Sequence, residues 1–217
     1  MNKNIITIAG EPGCGKSTIA EIIANKLDYK LISSGDIARQ IAKEKGVAED
    51  VFFSGYIKKH PEIDYEIDDR VIEYCKNNNN KNIVVPTRMV GILLKKEGIE
   101  SFDVYMQGNF SVRTGRISER ENKEIKIVKK ETRKRRKYEI KRYKKLYKVD
   151  INNLSRYNFV IYTHFQKNFI DKIRVFRNYF EKKEKDYIKT NSTMPDSLSD
   201  IIIKEYKEYV RRKNNRN

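Results

Sequence analysis

Gly10 to Ser17 read GEPGCGKS, the spacing G-x-x-x-x-G-K-[ST], directly after the apolar stretch IITIA. Those residue types at that spacing do one piece of chemistry. Glycines let successive backbone amides curl into a nest for phosphate oxygens at a helix N-terminus. Lys16 reaches the β- and γ-phosphates, and the Ser17 hydroxyl ligates magnesium. Such a loop needs a strand before it and a helix after it. NIITIAG reads as a buried strand, and KSTIAEIIANKL sets Ile19, Ile22, Ile23 and Leu27 at helical spacing. Cys14, inside the loop, reads as a small filler residue.

A phosphate loop implies a nucleoside triphosphate but not its use. The N-K-x-D segment that specifies guanine in GTPases is absent. A small-molecule kinase needs a second anion site beside the γ-phosphate, built from arginines on neighbouring helices and a mobile lid. Asp36 and Arg39, in SSGDIAR, fall at the start of the helix after strand two; Arg88, in VVPTRMVG, falls just after strand three. Both places lie at the carboxyl edge of the sheet, where doubly wound folds bind ligands. Singly, these residues also read as a helix N-cap, a solvated face and a surface charge. The highly charged helical region from Phe110 to about Tyr147 changes that balance. Arg113, Arg116 and Arg120 share one helical face, and Arg135, Glu139 and Arg142 share another. Arginine faces flanking a phosphate loop can neutralise a transferring phosphoryl group, while most of the lysines around them read as solvated.

The elements that must position these residues alternate in type. YKLISSG, IVVPT, SFDVYMQG and YNFVIYT supply four further strands, with helices between them. This predicts an α/β fold: a doubly wound, parallel five-stranded sheet with helices on both faces. QKNFIDKIRVFRNYF is predicted as a helix, EKKEKDYIKTNSTMPDS as a polar linker, and LSDIIIKEYKEYVRR as an amphipathic helix. The reading therefore places a kinase domain over 1–183, with an acceptor-binding segment at about 36–80 and a lid at about 110–147. Residues 184–217 follow as a charged linker and helix, the last residues being solvated chain.

The formal net charge is +17, which fits a phosphate-bearing or polyanionic partner, and 38% apolar residues gathered in periodic blocks support a folded core. Cys14 and Cys75 form no CxxC pair, which speaks against a disulfide framework or a zinc site and fits a reduced cytoplasm. No run is long enough for a signal-peptide core or a membrane span. His60 and His164 read as surface or structural residues, because phosphoryl transfer to an already ionised phosphate needs no histidine base.

Together, IITIAGEPGCGKSTIAEIIANKL, ISSGDIARQIAKEKG, PEIDYEIDDR, SVRTGRISERE and ETRKRRKYEIKRYKKLYKVDINNLSRYNFVIYT resemble, in order and spacing, the archaeal-type cytidylate kinases, P-loop enzymes that phosphorylate CMP and dCMP. The resemblance spans about Ile5 to Thr163. It implies ATP-phosphate binding by Gly10, Glu11, Pro12, Gly13, Cys14, Gly15, Lys16, Ser17 and Thr18, with Mg2+ alongside. It further implies an acceptor nucleotide held by Asp36, Arg39 and Arg88, a lid carrying Arg116 and Arg120, and a helix contacting the nucleotide through Arg135, Glu139 and Arg142. Lys16, Arg88, Arg116, Arg120 and Arg135 would be the catalytic set. The chain departs from the family's pattern at Pro86 and Thr87, where an acidic residue and Gly usually precede the arginine. Arg136 stands for an acidic residue and Asn158 for an Asp. Other readings are a kinase of the same fold acting on AMP or a non-nucleotide metabolite, and a non-catalytic P-loop protein binding ATP and RNA.

Overall fold

Ile5–Gly10 forms β1, buried at every position, as expected of a parallel strand covered on both faces. The computed structural model describes residues 4–77, 82–166, 169–179, 182–188 and 196–215. After β1 come α1 (Lys16–Leu27), β2 (Lys30–Leu31), α2 (Ser34–Glu44), α3 (Glu49–Val51), a π-helical turn, α4 (Ile57–Lys59) and α5 (Glu62–Asn77). Next are β3 (Ile83–Pro86), α6 (Val90–Lys96), β4 (Phe102–Gly108), α7 (Phe110–Glu121) and α8 (Ile125–Tyr147). The chain then continues through β5 (Phe159–Gln166), β6 (Phe169–Tyr179), β7 (Lys182–Ile188) and α9 (Asp196–Asn214).

The strands lie in the order β2-β3-β1-β4-β5-β6-β7. The first five are parallel, as expected, with β1 central: Ile5 pairs with Ile83 of β3 and Ile6 with Phe102 of β4. Chain direction thus sends α1 off the carboxyl end of the middle strand, with β3 and β4 ending on either side of it.

Two expectations fail beyond β5. Of the segment predicted as a helix over 166–180, Gln166 ends β5 and residues 169–179 are β6, antiparallel to β5, while residues 182–188 of the predicted linker are β7, antiparallel to β6. Residues 189–195 of that linker lie outside the described residues. Phe169, Ile170, Ile173 and Phe176 fit helical spacing, but the segment is rich in β-branched and aromatic residues, and β5 would otherwise expose an open edge. Pairing resolves the ambiguity. The new edge, KKEKDYI, carries the lysines typical of a protected edge strand.

α9 forms as the amphipathic pattern predicts, but not as an appendage beyond residue 183. Leu198, Ile202, Ile203 and Tyr206 lie buried in one cluster with Ile6 and Ile8 of β1 and Ile19 and Ile23 of α1. Tyr206 also shares a 2.8 Å hydroxyl hydrogen bond with Tyr29. The opposite face of the sheet is covered by a second cluster that includes Met89, Tyr105, Tyr143 and Tyr157.

Gly91 marks a close helix-to-sheet approach. Thr7 Oγ1 and Ser101 Oγ both donate to Asp103 Oδ1, at 2.7 and 2.6 Å, and a Cβ on Gly91 would overlap both Asp103 Oδ1 and Thr7 Oγ1. Neither neighbour can retreat without breaking a buried hydrogen bond. Gly91→Ala is expected to destabilise the fold by about 1–3 kcal/mol, read as a lowered midpoint of thermal unfolding.

Candidate active site

The loop from Gly10 to Ser17 crosses from β1 to α1 at the carboxyl edge of the sheet, and its shape depends on Gly13. That residue has φ +78°, and a Cβ there would stand 2.5 Å from the carbonyl oxygen of Arg113, so only glycine fits against α7. Arg113 holds the loop from the other direction. Its guanidinium donates to Pro12 O at 2.8 Å and Gly108 O at 3.0 Å, and pairs with Glu11 at 3.0 Å. Expected on the arginine face of the lid with Arg116 and Arg120, Arg113 is instead buried as a brace. Arg136 completes the support from α8, donating to Asn152 Oδ1 at 2.7 Å and reaching Glu11 at 4.0 Å.

Lys16 opens α1 in a surrounding of other cations. Burial pushes its ammonium below the usual lysine range; Arg88 and Arg120 push the same way, while Cys14 and Glu139 oppose them. The centre of this group is Glu139, whose side chain is 4% exposed. Its Oε1 accepts from Arg88 Nη1 and, at 3.0 Å, from Arg135 Nε. One buried carboxylate therefore joins the arginine at the end of β3 to an arginine of α8. Arg116 reaches the loop too, with Nη1 3.9 Å from the position of a Cβ on Gly15. Arg120 is more exposed and pairs with Glu121 at 2.8 Å. Ser17 and Thr18, in the first turn of α1, face solvent.

Asp36 and Arg39 form a separate pair on α2, with Glu49 3.6 Å from Arg39. The helix itself is capped by Ser33, whose Oγ accepts from Gly35 N at 3.1 Å; Asp36 is not the cap. Arg142 turns toward α5, pairing with Asp64 and donating to Tyr143 Oη at 3.1 Å. One turn along α5, Asp68 accepts from Tyr147 Oη at 3.0 Å. Burial, with Asp64 and Asp69 adding to it, raises the Asp68 carboxyl to about 6, against the Tyr147 hydrogen bond and Arg142. The sequence reading assigned nothing to Asp64, Asp68 or Tyr147. Their signals were membership of the quoted stretches PEIDYEIDDR and ETRKRRKYEIKRYKKLYKVD and a spacing of i and i+4 on one helix, facing Arg142 and Tyr147 on another.

The departures from the family pattern all have local partners. Thr87 Oγ1 accepts from Met89 N and Val90 N at 3.2 and 3.0 Å, capping α6. Pro86 is tolerated because alternate β3 amides point toward β2, which has ended by then; the Thr87 amide beyond it still donates to Ile8 O at 2.9 Å. Asn158 Oδ1 accepts from the Asp103 amide at 2.8 Å. Thr87 is buried at its cap, and among the described residues no group of three or more His, Cys, Asp or Glu could hold a metal ion. His60 stacks on Tyr56 at 4.2 Å and pairs with Glu62, away from the loop; His164 lies within β5.

A glycine loop between the central parallel strand and its helix, with Arg88 after β3 and Arg120 of α7 acting on its lysine and Glu139 of α8 joining Arg88 to Arg135, defines a P-loop kinase fold. One solved structure, an uncharacterized protein from Eubacterium ventriosum, shares that fold at a TM-score of 0.56 and 18% identity, covering 75% of this chain and 89% of its own. Residues 5–164 match the model of the cytidylate kinase-like family, and the chain belongs to that family. Among its relatives, the cytidylate kinase of Archaeoglobus fulgidus is 41% identical over 72% of this chain and 83% of its own length. That of Methanocaldococcus jannaschii is 40% identical, over 73% and 88%.

Proposed function

We propose that this chain is a cytidylate kinase, transferring the γ-phosphoryl group of Mg-ATP to CMP or dCMP to give ADP and CDP or dCDP. Beyond family membership, the observation that carries the reading is Glu139 bridging Arg88 and Arg135 within the field of Lys16. A site that only bound ATP would need no second arginine from β3. A site that joins two phosphate-bearing molecules needs cations on both, held at fixed separation.

In this mechanism the loop amides and Lys16 bind the β- and γ-phosphates of ATP. Arg116 and Arg120 close over them from α7, and Arg135 meets the transferring group from α8. Arg88 and Arg39 place the acceptor phosphate in line, with Asp36 orienting Arg39. Glu139 acts as a positioning residue, presetting Arg88 and Arg135 so that little reorganisation is needed when charge spreads over the equatorial oxygens. The Ser17 hydroxyl would hold the Mg2+ that accompanies ATP, an oxygen donor that suits this ion, and the ion would supply neutralisation of phosphate charge. We place the reaction in the cytosol; among the described residues no helix is long and apolar enough to cross a membrane.

The test is ADP release from Mg-ATP with CMP, dCMP, UMP, AMP and GMP offered separately, and Lys16→Ala as control. Turnover selective for CMP or dCMP that is lost in the control is the expected result. Selective turnover of AMP would replace the acceptor, and ATP binding with no turnover of any acceptor would end the reading.

A further inference from the structure

Asp64 and Asp68 face α8 from the acceptor side, and the mechanism above gives neither a task. They occupy one face of α5, a turn apart. Asp64 Oδ2 accepts from Arg142, whose guanidinium also lies over two rings, 4.8 Å from the centre of Tyr143 and 5.8 Å from that of Tyr138. Asp64 Oδ1 has no hydrogen-bond partner among the described residues, and the side chain is 16% exposed. Burial raises the Asp64 carboxyl above its usual range even with Arg142 beside it. Tying α5 to α8 does not require that cost, because apolar packing generally joins two helices as well as a buried ion pair does. A half-used carboxylate kept at the edge of a ligand site suggests a ligand.

Its place in the site narrows what the ligand presents. Glu139 and Arg142 stand three residues apart on α8, so the Arg88–Glu139 pair and the Asp64–Arg142 pair lie on neighbouring turns of one helix. With the acceptor phosphate on Arg88, a base lying along that helix face meets Asp64. An ionised carboxylate only accepts hydrogen bonds. Cytosine offers a donor at its exocyclic N4, whereas uracil has a carbonyl oxygen there, whose lone pairs would face the carboxylate.

We infer that Asp64 reads the exocyclic amine of the acceptor base through Oδ1, with Arg142 holding the carboxylate in orientation. The inference rests on the proposed cytidylate kinase reaction. It makes Asp64 a specificity residue, setting CMP against UMP, and leaves phosphoryl transfer itself to the arginines. Asparagine at this position could turn either its carbonyl or its amide toward the base and so would accept both pyrimidines.

The experiment is the ratio of kcat/KM for CMP to kcat/KM for UMP in the wild-type chain, in Asp64→Asn and in Asp68→Asn. A hydrogen bond to a charged group sets the expected scale: the ratio falls about 10- to 100-fold in Asp64→Asn and holds in Asp68→Asn. The wild-type chain is also assayed with the monophosphate of 2-pyrimidinone riboside, which lacks the 4-amino group; it is expected to lose a similar factor against CMP, and this arm needs no folded variant. An unchanged CMP to UMP ratio in a folded, active Asp64→Asn overturns the inference and leaves the kinase reading standing. So does a wild-type chain indifferent to the missing amine. A wild-type chain that phosphorylates neither CMP nor UMP overturns both.

Discussion

Arg88→Ala should lower kcat for CMP phosphorylation by about 10²–10³-fold, the usual loss when one preorganised charge-stabilising group is removed from an active site. The KM for ATP should change little. Arg88 follows β3, across the loop from the α7 arginines, and its partner Glu139 stays occupied by Arg135 after the change. The fold should therefore survive, which a thermal melt beside the kinetics would check. Arg88→Lys should restore only part of the loss, because an ammonium cannot reproduce a forked guanidinium shared between a carboxylate and a phosphate. Equal losses in ATP affinity and melting temperature would instead make Arg88 a structural residue.

Removal of residues 196–217 is expected to prevent stable folding. Leu198, Ile202 and Tyr206 are 2%, 0% and 4% exposed, and each buried side chain of this size contributes roughly 1.5–3 kcal/mol. Their sum rivals the whole stability of an ordinary domain, about 5–15 kcal/mol. Lys26 also loses its partner Asp200, at 2.8 Å, on an exposed edge where the pair is worth little. Soluble yield and circular dichroism of the shortened chain give the answer. A native spectrum with full kinase activity would mean that α9 is an appendage after all.

That second result bears on how much the sequence discloses. The loop, its strand and its helix were legible because their signals are local: fixed glycines, an apolar run, apolar residues at helical spacing. That the first five strands run parallel followed from alternation of element types; their order did not. β6 was not legible, since Phe169, Ile170, Ile173 and Phe176 satisfy a helical period and only the open edge of β5 selects the strand. Arg113, Arg116 and Arg120 look equivalent along one helical face; that Arg113 turns inward depends on Pro12 and Glu11, about a hundred residues earlier in the chain. Likewise Arg136 reads as a loss in the lid until Glu11, Tyr105 and Asn152 are seen around it. The i, i+4 spacing of Arg135 and Glu139 allows that pair, but nothing in the sequence discloses that Arg88 leans on the same carboxylate.

The burial of α9 against α1 also has a consequence for synthesis. β1 and α1 leave the ribosome among the first thirty residues, but the helix that covers them is translated only after residue 195. For most of translation the apolar stripe of Ile19, Ile23 and their neighbours lacks the part of its cover that α9 supplies. A nascent chain in that condition is open to aggregation and to holdase chaperones. Slow translation of the segment before α9 would prolong the exposure, so the yield of this protein in a foreign host should depend on elongation rate late in the message more than on its opening codons.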